Sequence, residues 1–387
     1  MEKVCEFDKC TACRACVHAC PKQAIKMVEN EYGALLPQID NSKCVDCGLC
    51  KKVCQAHELD TMNEPQKCYA VWTKDDEDRK ICSSGGVSTG FARKVIKDGG
   101  IVFGTAYVDK LKLAITEAST EDEILKFRGS KYVQCDTDNS YPNVKKYLEA
   151  GKEVLYVGTP CQIMGLRKYL RKEYANLLTV DIICHGVPPF KMLKEHISLI
   201  CPSQEVTRAD FRGKYDFRLT VYNRNEKICS IDRFEDCYFT SFLDGLNYRE
   251  NCYTCNLAQK ERASDITIGD FWGLNRSTMK QKYTGRISTV LINTSKGAEF
   301  FESIKNHFWY EERLPRESID GNDNLRQPTI RHEKRDIFLQ TYLQRGLQEA
   351  YIQAGIAQKV KKVIRSRKIK NMLWYRGIRK IKHLIIK

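Results

Sequence analysis

The sequence predicts an α+β module at the N-terminal end, an α/β domain after it, and a basic helix at the C-terminal end. Three observations lead there. Cysteine, 19 in 387 residues, recurs in a repeated motif near the start of the chain. Strand, tight turn and helix then follow one another twice, through "EVLYVGTPCQIMGLRKYL" and "LLTVDIICHGVPPFKMLKEHISLI", the order of a parallel α/β unit. From Lys359 to Lys387 there are 12 Lys and Arg and no Asp or Glu, against a net charge of +15 for the whole chain. The residues before the tail therefore carry only +3 and are close to charge-balanced.

The opening residues, Met1-Glu2-Lys3, lead straight into a Cys-rich segment with no apolar run behind them, so no signal peptide is expected. No stretch of 18 apolar residues offers a membrane span. An odd number of cysteines in a chain that reads as cytoplasmic argues for metal ligation over a disulfide framework.

The first segment, residues 1–63, carries "CTACRACVHACP" and then "CVDCGLCKKVCQ", both with C-x2-C-x2-C-x3-C spacing. This is the bacterial two-cluster ferredoxin pattern. Short spacers let one turn of backbone aim three thiolates at one cube, while the fourth thiolate reaches the other cluster. Cys10, Cys13, Cys16 and Cys54 are thus expected on one 4Fe-4S cluster, and Cys44, Cys47, Cys50 and Cys20 on a second. Zinc is the competing reading, but it takes thiolates in C-x2-C pairs rather than triplets with a displaced fourth. Pro21 follows Cys20 as the pattern asks; Gln55 after Cys54 departs from it. His18 reads as a bystander. "AIKMVENEYGALLPQID" between the motifs alternates apolar and polar residues, which predicts a hairpin.

"AHELDTMNEPQKC" (56–68) has no periodicity and reads as a linker. After it, "GGVSTGFARKVIKDG" predicts a helix, "GIVFGTAYV" and "LAITEAS" strands, and "EDEILKF" a short helix. Cys161 and Cys184 each stand just past the carboxyl end of a predicted strand. If those strands are neighbours, both thiols share the sheet edge where open α/β sheets bind ligands. "NCYTC" adds Cys252 and Cys255, before the strand-like "SDITIGDFWG". These four thiolates suit a third 4Fe-4S cluster or a structural zinc, and spacing alone does not decide. The wiring upstream favours the cluster. Cys5, Cys68, Cys82, Cys135, Cys201, Cys229 and Cys237 show no ligand spacing and read as inert thiols.

Two loops could take a phosphate or a flavin. Ser83, Ser84, Gly85 and Gly86 stand at a helix start, where free N–H groups favour an anion, although Ser-Gly pairs there are more often plain caps. "GTP" (Gly158, Thr159, Pro160) is a second such loop, and Lys131 in "RGSKYVQ" could neutralise a phosphate or a reduced flavin. No G-x-G-x-x-G follows a strand, so a Rossmann dinucleotide site is not supported.

Taken in order, "SSGG", "RGSKYVQ", "GTPCQIMGL", "CHGVPP", "NCYTC" and "SDITIGDFWG" resemble the coenzyme F(420) hydrogenase/dehydrogenase beta subunits over about residues 66–310. The resemblance implies FAD beside a 4Fe-4S cluster held by Cys161, Cys184, Cys252 and Cys255. It implies a flavin neighbourhood made by Ser83 to Gly86, by Gly129, Ser130 and Lys131, and by Gly158, Thr159 and Pro160. It also implies an oxidoreductase that takes electrons from reduced ferredoxin or a similar protein and passes them to a two-electron-accepting small molecule, a deazaflavin in archaeal members. Other relatives reduce other metabolites, and some accompany surface-polysaccharide genes. A subunit that only transfers electrons, with no substrate of its own, is a further reading. No protein acid or base is assigned, since the flavin would carry the chemistry; His185 is the best-placed candidate proton donor, although a hydrogen bond to the cluster is the better reading of it.

The domain plan is therefore 1–63, 66–315, a helical extension over 316–358 and the basic tail 359–387. In the tail, Trp374, Ile378, Ile381 and Ile385 form one helical stripe. Such a helix suits the surface of an anionic membrane or a protein partner. An iron–sulfur sensor that binds nucleic acid through this tail is the third class, and DNA is not expected as a partner.

Overall fold

The computed structural model describes residues 2–213 and 216–371. The tail stripe at Trp374, Ile378, Ile381 and Ile385 lies outside the described residues.

The N-terminal module holds α1 (Ala15–Ala19), the strands β1 (Ile25–Glu29) and β2 (Leu35–Ile39), and α2 (Leu49–Lys52). The predicted hairpin is present, with antiparallel pairs running from Ile25 with Ile39 to Glu29 with Leu35. Its turn is held by Asn30, whose Oδ1 accepts the N–H groups of Tyr32 (3.1 Å) and Ala34 (2.8 Å). The sequence repeat is also a backbone repeat. Ala12 and Arg14 in the first motif, and Asp46 and Gly48 in the second, are all left-handed, with φ of 56°, 61°, 50° and 72°. Left-handed residues between the cysteines curl the chain so that successive thiols face inward, and they carry a strain that only Gly avoids.

The central domain contains β3 (Lys67–Thr73), α3 (Asp76–Ile81), α4 (Val87–Lys97), the hairpin β4 (Ile101–Asp109) and β5 (Lys112–Ala118), and α5 (Ser140–Glu149). There follow β6 (Val154–Gly158), α6 (Pro160–Leu170), β7 (Leu177–Ile182) and α7 (Phe190–Ile200). A three-stranded antiparallel sheet comes next, β8 (Arg208–Arg212), β9 (Phe217–Asn223) and β10 (Glu226–Asp232), then α8 (Cys237–Leu243). The domain closes with β11 (Ile266–Asp270), β12 (Ser288–Ile292), α9 (Ser295–Ile304), β13 (Phe308–Arg313) and α10 (Pro315–Gly321).

Eight strands make one sheet in the order β13-β3-β12-β11-β7-β6-β4-β5. The centre is parallel, β4 with β6, β6 with β7, and β7 with β11. The parallel pairing expected of the two strand–turn–helix passages holds for β6 and β7, and the antiparallel flanks make the whole sheet mixed. Inner strands such as "STVLI" (288–292) are buried along their whole length because both faces are covered. Phe91, Leu155, Val180, Val290 and Phe301 fill one face, and Phe103, Tyr141, Tyr156, Ile163 and Leu166 the other. A third core forms where α7, α8 and the small sheet meet the C-terminal helices, around Leu193, Phe211, Tyr238, Phe338 and Tyr351.

"EKRDIFLQTYLQRGLQEAYIQAG" is not the single helix its apolar face suggests. It divides into α11 (Arg335–Arg345) and α12 (Leu347–Gln353) at Gly346, whose φ of +81° a helix cannot hold. A second left-handed glycine, Gly355, precedes α13 (Ile356–Asn371), which runs unbroken through Lys359 into the start of the basic segment. There Lys359 pairs with Asp244 (2.6 Å), and Arg367 with Glu235 (2.8 Å) and Asp232 (3.0 Å), so the base of the tail is docked on its own chain. Among the described residues no helix is long and apolar enough to cross a membrane.

Candidate functional site

The eight motif cysteines of the N-terminal module line two adjacent cavities. Cys10, Cys13, Cys16 and Cys54 line one, and Cys20, Cys44, Cys47 and Cys50 the other, each open to solvent at its mouth. One face of the hairpin roofs both: the cross-strand pair Met27 and Pro37 covers the first, and Ile25 and Ile39 the second. Apolar roofing keeps water off whatever the thiols bind.

Cys5, expected to be inert, belongs to the first cavity. Its thiol bonds with Cys10 and Cys54, which raises Cys5 and lowers the other two, against the burial that opposes ionisation. Spacing gave no hint of Cys5, because it lies in the loop before the motif.

The first cavity is packed against the central domain. Arg14 pairs with Asp136, Thr137 Oγ1 donates to the Cys13 carbonyl (3.0 Å), and His18 Nε2 to the Asp138 carbonyl (2.6 Å). His18 is thus a docking residue, not a ligand. Buried Arg249 donates to the carbonyls of Cys10 (2.8 Å) and Leu35 (3.2 Å). Gln55, the departure from the motif, donates to Thr11 Oγ1 (3.1 Å) and to the Cys161 carbonyl (2.8 Å). A proline there could not make this bridge between the first cavity and α6. Gly165, one turn beyond Cys161, lets Cys13 approach: a Cβ at 165 would stand 2.7 Å from Cys13 Cβ, 2.9 Å from its Sγ and 2.7 Å from Tyr141 Oη. Gly165→Ala is therefore expected to cost about 1–3 kcal/mol and to lower the iron bound per chain. A thermal midpoint and an iron assay on the anaerobically purified variant check both.

Cys161 and Cys184 follow β6 and β7, which are parallel neighbours with Gly158 opposite Asp181. Both thiols stand at the carboxyl edge of the sheet. Cys252 and Cys255 meet them there, close enough that the charges of the four oppose one another's ionisation. Burial first, then this repulsion, pushes Cys161 up to about 12 and Cys252 to about 11. Cys184 is raised further, and Cys13 of the first cavity adds to the repulsion at Cys161. Thr159 Oγ1 lies 3.2 Å from Cys161 Sγ. Behind the site, fully buried Arg262 pairs with fully buried Asp181 (2.9 Å) at the end of β7.

The loops expected at a flavin lie along the same edge. Ser130 N–H donates to Ser83 Oγ (2.7 Å), which joins Gly129–Lys131 to the Ser83–Gly86 turn. Gly85 sits so close to β3 and β12 that a Cβ would fall 2.2 Å from the Val71 carbonyl. Gly129 is left-handed (φ +83°) and has open space where a Cβ would be. Lys131 does not point its charge outward: its ammonium donates to the carbonyls of Thr105 (3.1 Å), Phe127 (3.0 Å) and Arg128 (2.8 Å), and burial lowers it to about 8. In Gly158–Pro160, the Thr159 N–H is already taken by Gln162 Oε1 (2.9 Å), so that helix start is capped by its own side chain. His185 lies at the edge, near Asp270 and Arg212, and desolvation by the groups around its ring holds it below the usual imidazole value.

Three arginines that sequence reasoning missed converge on the serine turn. Arg286 donates to the Ser83 carbonyl (3.0 Å), Arg79 to the Ser84 carbonyl (2.8 Å), and Arg212 is held by Asp270 (2.7 Å) and Tyr132 Oη (2.7 Å). Arg212, Arg233 and Arg286 surround the Phe217 ring at 3.9, 4.7 and 5.9 Å. These last three come from β8, the β10–α8 loop and the loop leading into β12, segments with no shared motif.

Residues 151–317 match the family described as coenzyme F420 hydrogenase/dehydrogenase, C terminus of the beta subunit, and residues 9–57 match the 4Fe-4S dicluster domain. The chain is 20% identical over 328 residues to the F subunit of the F(420)H(2) dehydrogenase of Methanosarcina mazei, across 79% of this chain and 84% of that protein. It is 24% identical over 364 residues to the coenzyme F420-dependent sulfite reductase of Methanocaldococcus jannaschii, across 87% of this chain and 51% of that protein. This chain thus spans about half the length of the sulfite reductase. A chain of the F420-reducing nickel–iron hydrogenase complex of Methanosarcina barkeri aligns at 17% identity with a TM-score of 0.44, over 80% of this chain and 95% of that one.

Proposed function

We propose, for a chain that belongs to the coenzyme F420 hydrogenase/dehydrogenase beta subunits and carries a 4Fe-4S dicluster domain at its N-terminal end, that it is an iron–sulfur flavoprotein oxidoreductase. The observation that carries this reading is the bridge from the first cavity to the sheet edge, made by Gln55 between Thr11 and Cys161.

The residues fit the groups. Two rings of four thiols enclose cavities, and a third set of four gathers where β6 and β7 end. In the N-terminal module each set joins a C-x2-C-x2-C triplet to a fourth cysteine from the other motif. That arrangement suits a cluster of several irons better than one zinc. The serine turn, the open Gly129 loop and the arginines around Ser83 suit a phosphate-bearing cofactor such as FAD, since backbone N–H groups and guanidinium forks both favour phosphate. Bound clusters would supply single electrons, and a bound flavin would supply two-electron chemistry.

The chain's own residues do the placing. Cys10, Cys13, Cys16 and Cys54 would hold one cluster, Cys20, Cys44, Cys47 and Cys50 the second, and Cys161, Cys184, Cys252 and Cys255 the third. Arg249 and Gln55 fix the first of these against the last by bonding to the carbonyls of both loops. Arg79 and Arg286 hold the Ser83–Ser84 turn in shape by donating to carbonyls, which leaves their positive charge at the edge, while Arg212 is paired with Asp270. That charge favours an acidic two-electron acceptor, and a deazaflavin of the coenzyme F420 kind is the acceptor we assign.

Anaerobic purification with counts of iron, acid-labile sulfide and flavin tests this reading. About twelve irons and one flavin per chain are expected. Fewer than eight irons, or no flavin under any reconstitution, contradicts it.

A further inference from the structure

The two cavities of the N-terminal module differ in their surroundings. The first is packed on one side against the central domain through Arg14, His18, Gln55 and Arg249. The second faces outward. Cys47 is the one exposed cysteine of the 19, and Val45 beside it is 59% exposed. Lys22 lines this mouth, and Lys43, Lys51 and Lys52 are exposed and lie next in sequence to Cys44 and Cys50. The acids nearby are fewer: Asp46 between the thiols, and Asp40, which is engaged by Ser42 (2.6 Å) and Lys43 (3.6 Å).

We propose that this lysine rim is the docking surface for an acidic one-electron carrier protein, and that electrons come in at the second cavity and leave through the first. The inference rests on the iron–sulfur reading of the two cavities given above. An apolar centre at Val45 with a ring of like charge fits the small, transient contacts that redox partners make. Such a ring accelerates encounter with a partner of opposite sign, and does so more than it raises affinity. Among the described residues no aromatic side chain lines the mouth, so it lacks the stacking platform that single-stranded nucleic acid uses. The step itself is simple. The reduced carrier is oxidised by one electron, the group held by Cys20, Cys44, Cys47 and Cys50 is reduced by one, and no bond forms or breaks.

The test is stopped-flow reduction of the reconstituted full chain by a purified, reduced, acidic two-cluster ferredoxin, compared with reduction by a neutral small mediator. The variant carries Lys43→Glu, Lys51→Glu and Lys52→Glu, and leaves Lys22 on the cavity wall in place. The second-order rate with the ferredoxin is expected to fall by about 10-fold or more at low salt. Added salt should slow the parent and speed the variant, because screening weakens attraction in the one and repulsion in the other. Reduction by the neutral mediator and iron per chain should be unchanged. Equal ferredoxin rates and equal salt dependence in parent and variant, with iron intact, overturn the docking inference alone. A parent chain that cannot be loaded with two clusters overturns the reading beneath it as well.

Discussion

Replacing Cys161 with serine is expected to remove about four irons per chain and to abolish flavin reduction from the N-terminal side, while leaving the fold intact. Serine has nearly the shape of cysteine, and Cys161 sits in the first turn of α6 behind Pro160, a helix start capped by Gln162 and not by the thiol. The change therefore removes a ligand without removing a structural bond. The other two thiol sets do not share Cys161, so about eight irons should remain. The same loss is expected for Cys184→Ser, Cys252→Ser and Cys255→Ser, and none for Cys201→Ser, whose sulfur lies 3.3 Å from Cys229 in a different core. An iron and sulfide assay on the set checks this. Full iron content in Cys161→Ser would remove the third cluster from the account.

Arg262→Met is expected to destabilise the protein by about 3–5 kcal/mol, because it strands a buried carboxylate. Arg262 and Asp181 are 2% and 0% exposed, and Arg262 also donates to the carbonyls of Leu257 (3.1 Å) and Gln259 (3.2 Å) just after Cys255. One change thus loosens both β7, before Cys184, and the Cys252–Cys255 loop. Burial already raises Asp181 above its ordinary value even beside Arg262. Without the guanidinium the rise is larger. A carboxyl raised in the folded state binds more protons folded than unfolded, so the variant recovers stability as pH falls and loses it as pH rises through the new value. The penalty should be greatest near pH 7 and smaller near pH 5, read as urea midpoints at both. Adding Asp181→Asn should restore much of the loss, since no unpaired charge then remains buried. A variant as stable as the parent at pH 7 would show that the pair is solvated or replaceable.

What the sequence made legible was local. Thiols spaced by two and three residues, a hairpin of alternating apolar residues, and two strand–turn–helix passages all depend on near neighbours, and all appear in the fold. The parts that were not legible depend on distance. Antiparallel β5 and β12 turn the sheet mixed, and β12 reaches its place only because β3, more than 200 residues earlier, lies beside it. Arg212 and Arg286 meet at Ser83 from two distant segments, so no spacing could announce them. Lys131 looked like a phosphate partner because its loop was right, but three carbonyls occupy its ammonium. Gln55 was visible as a departure from the motif, and its meaning became plain only with Cys161 in hydrogen-bond reach. The break at Gly346 was visible in principle: a glycine inside a helical pattern is a warning, and there it is left-handed.

The central claim is that the thiols of residues 10–54 are wired to chemistry at the sheet edge. The most direct measurement mixes the anaerobically loaded chain with a one-electron reductant and follows cluster and flavin absorbance together. The account predicts that the clusters bleach first and the flavin follows with a rate constant that does not change on diluting the protein. Flavin bleaching that slows in proportion to dilution, or that keeps its rate in Cys161→Ser, would contradict it.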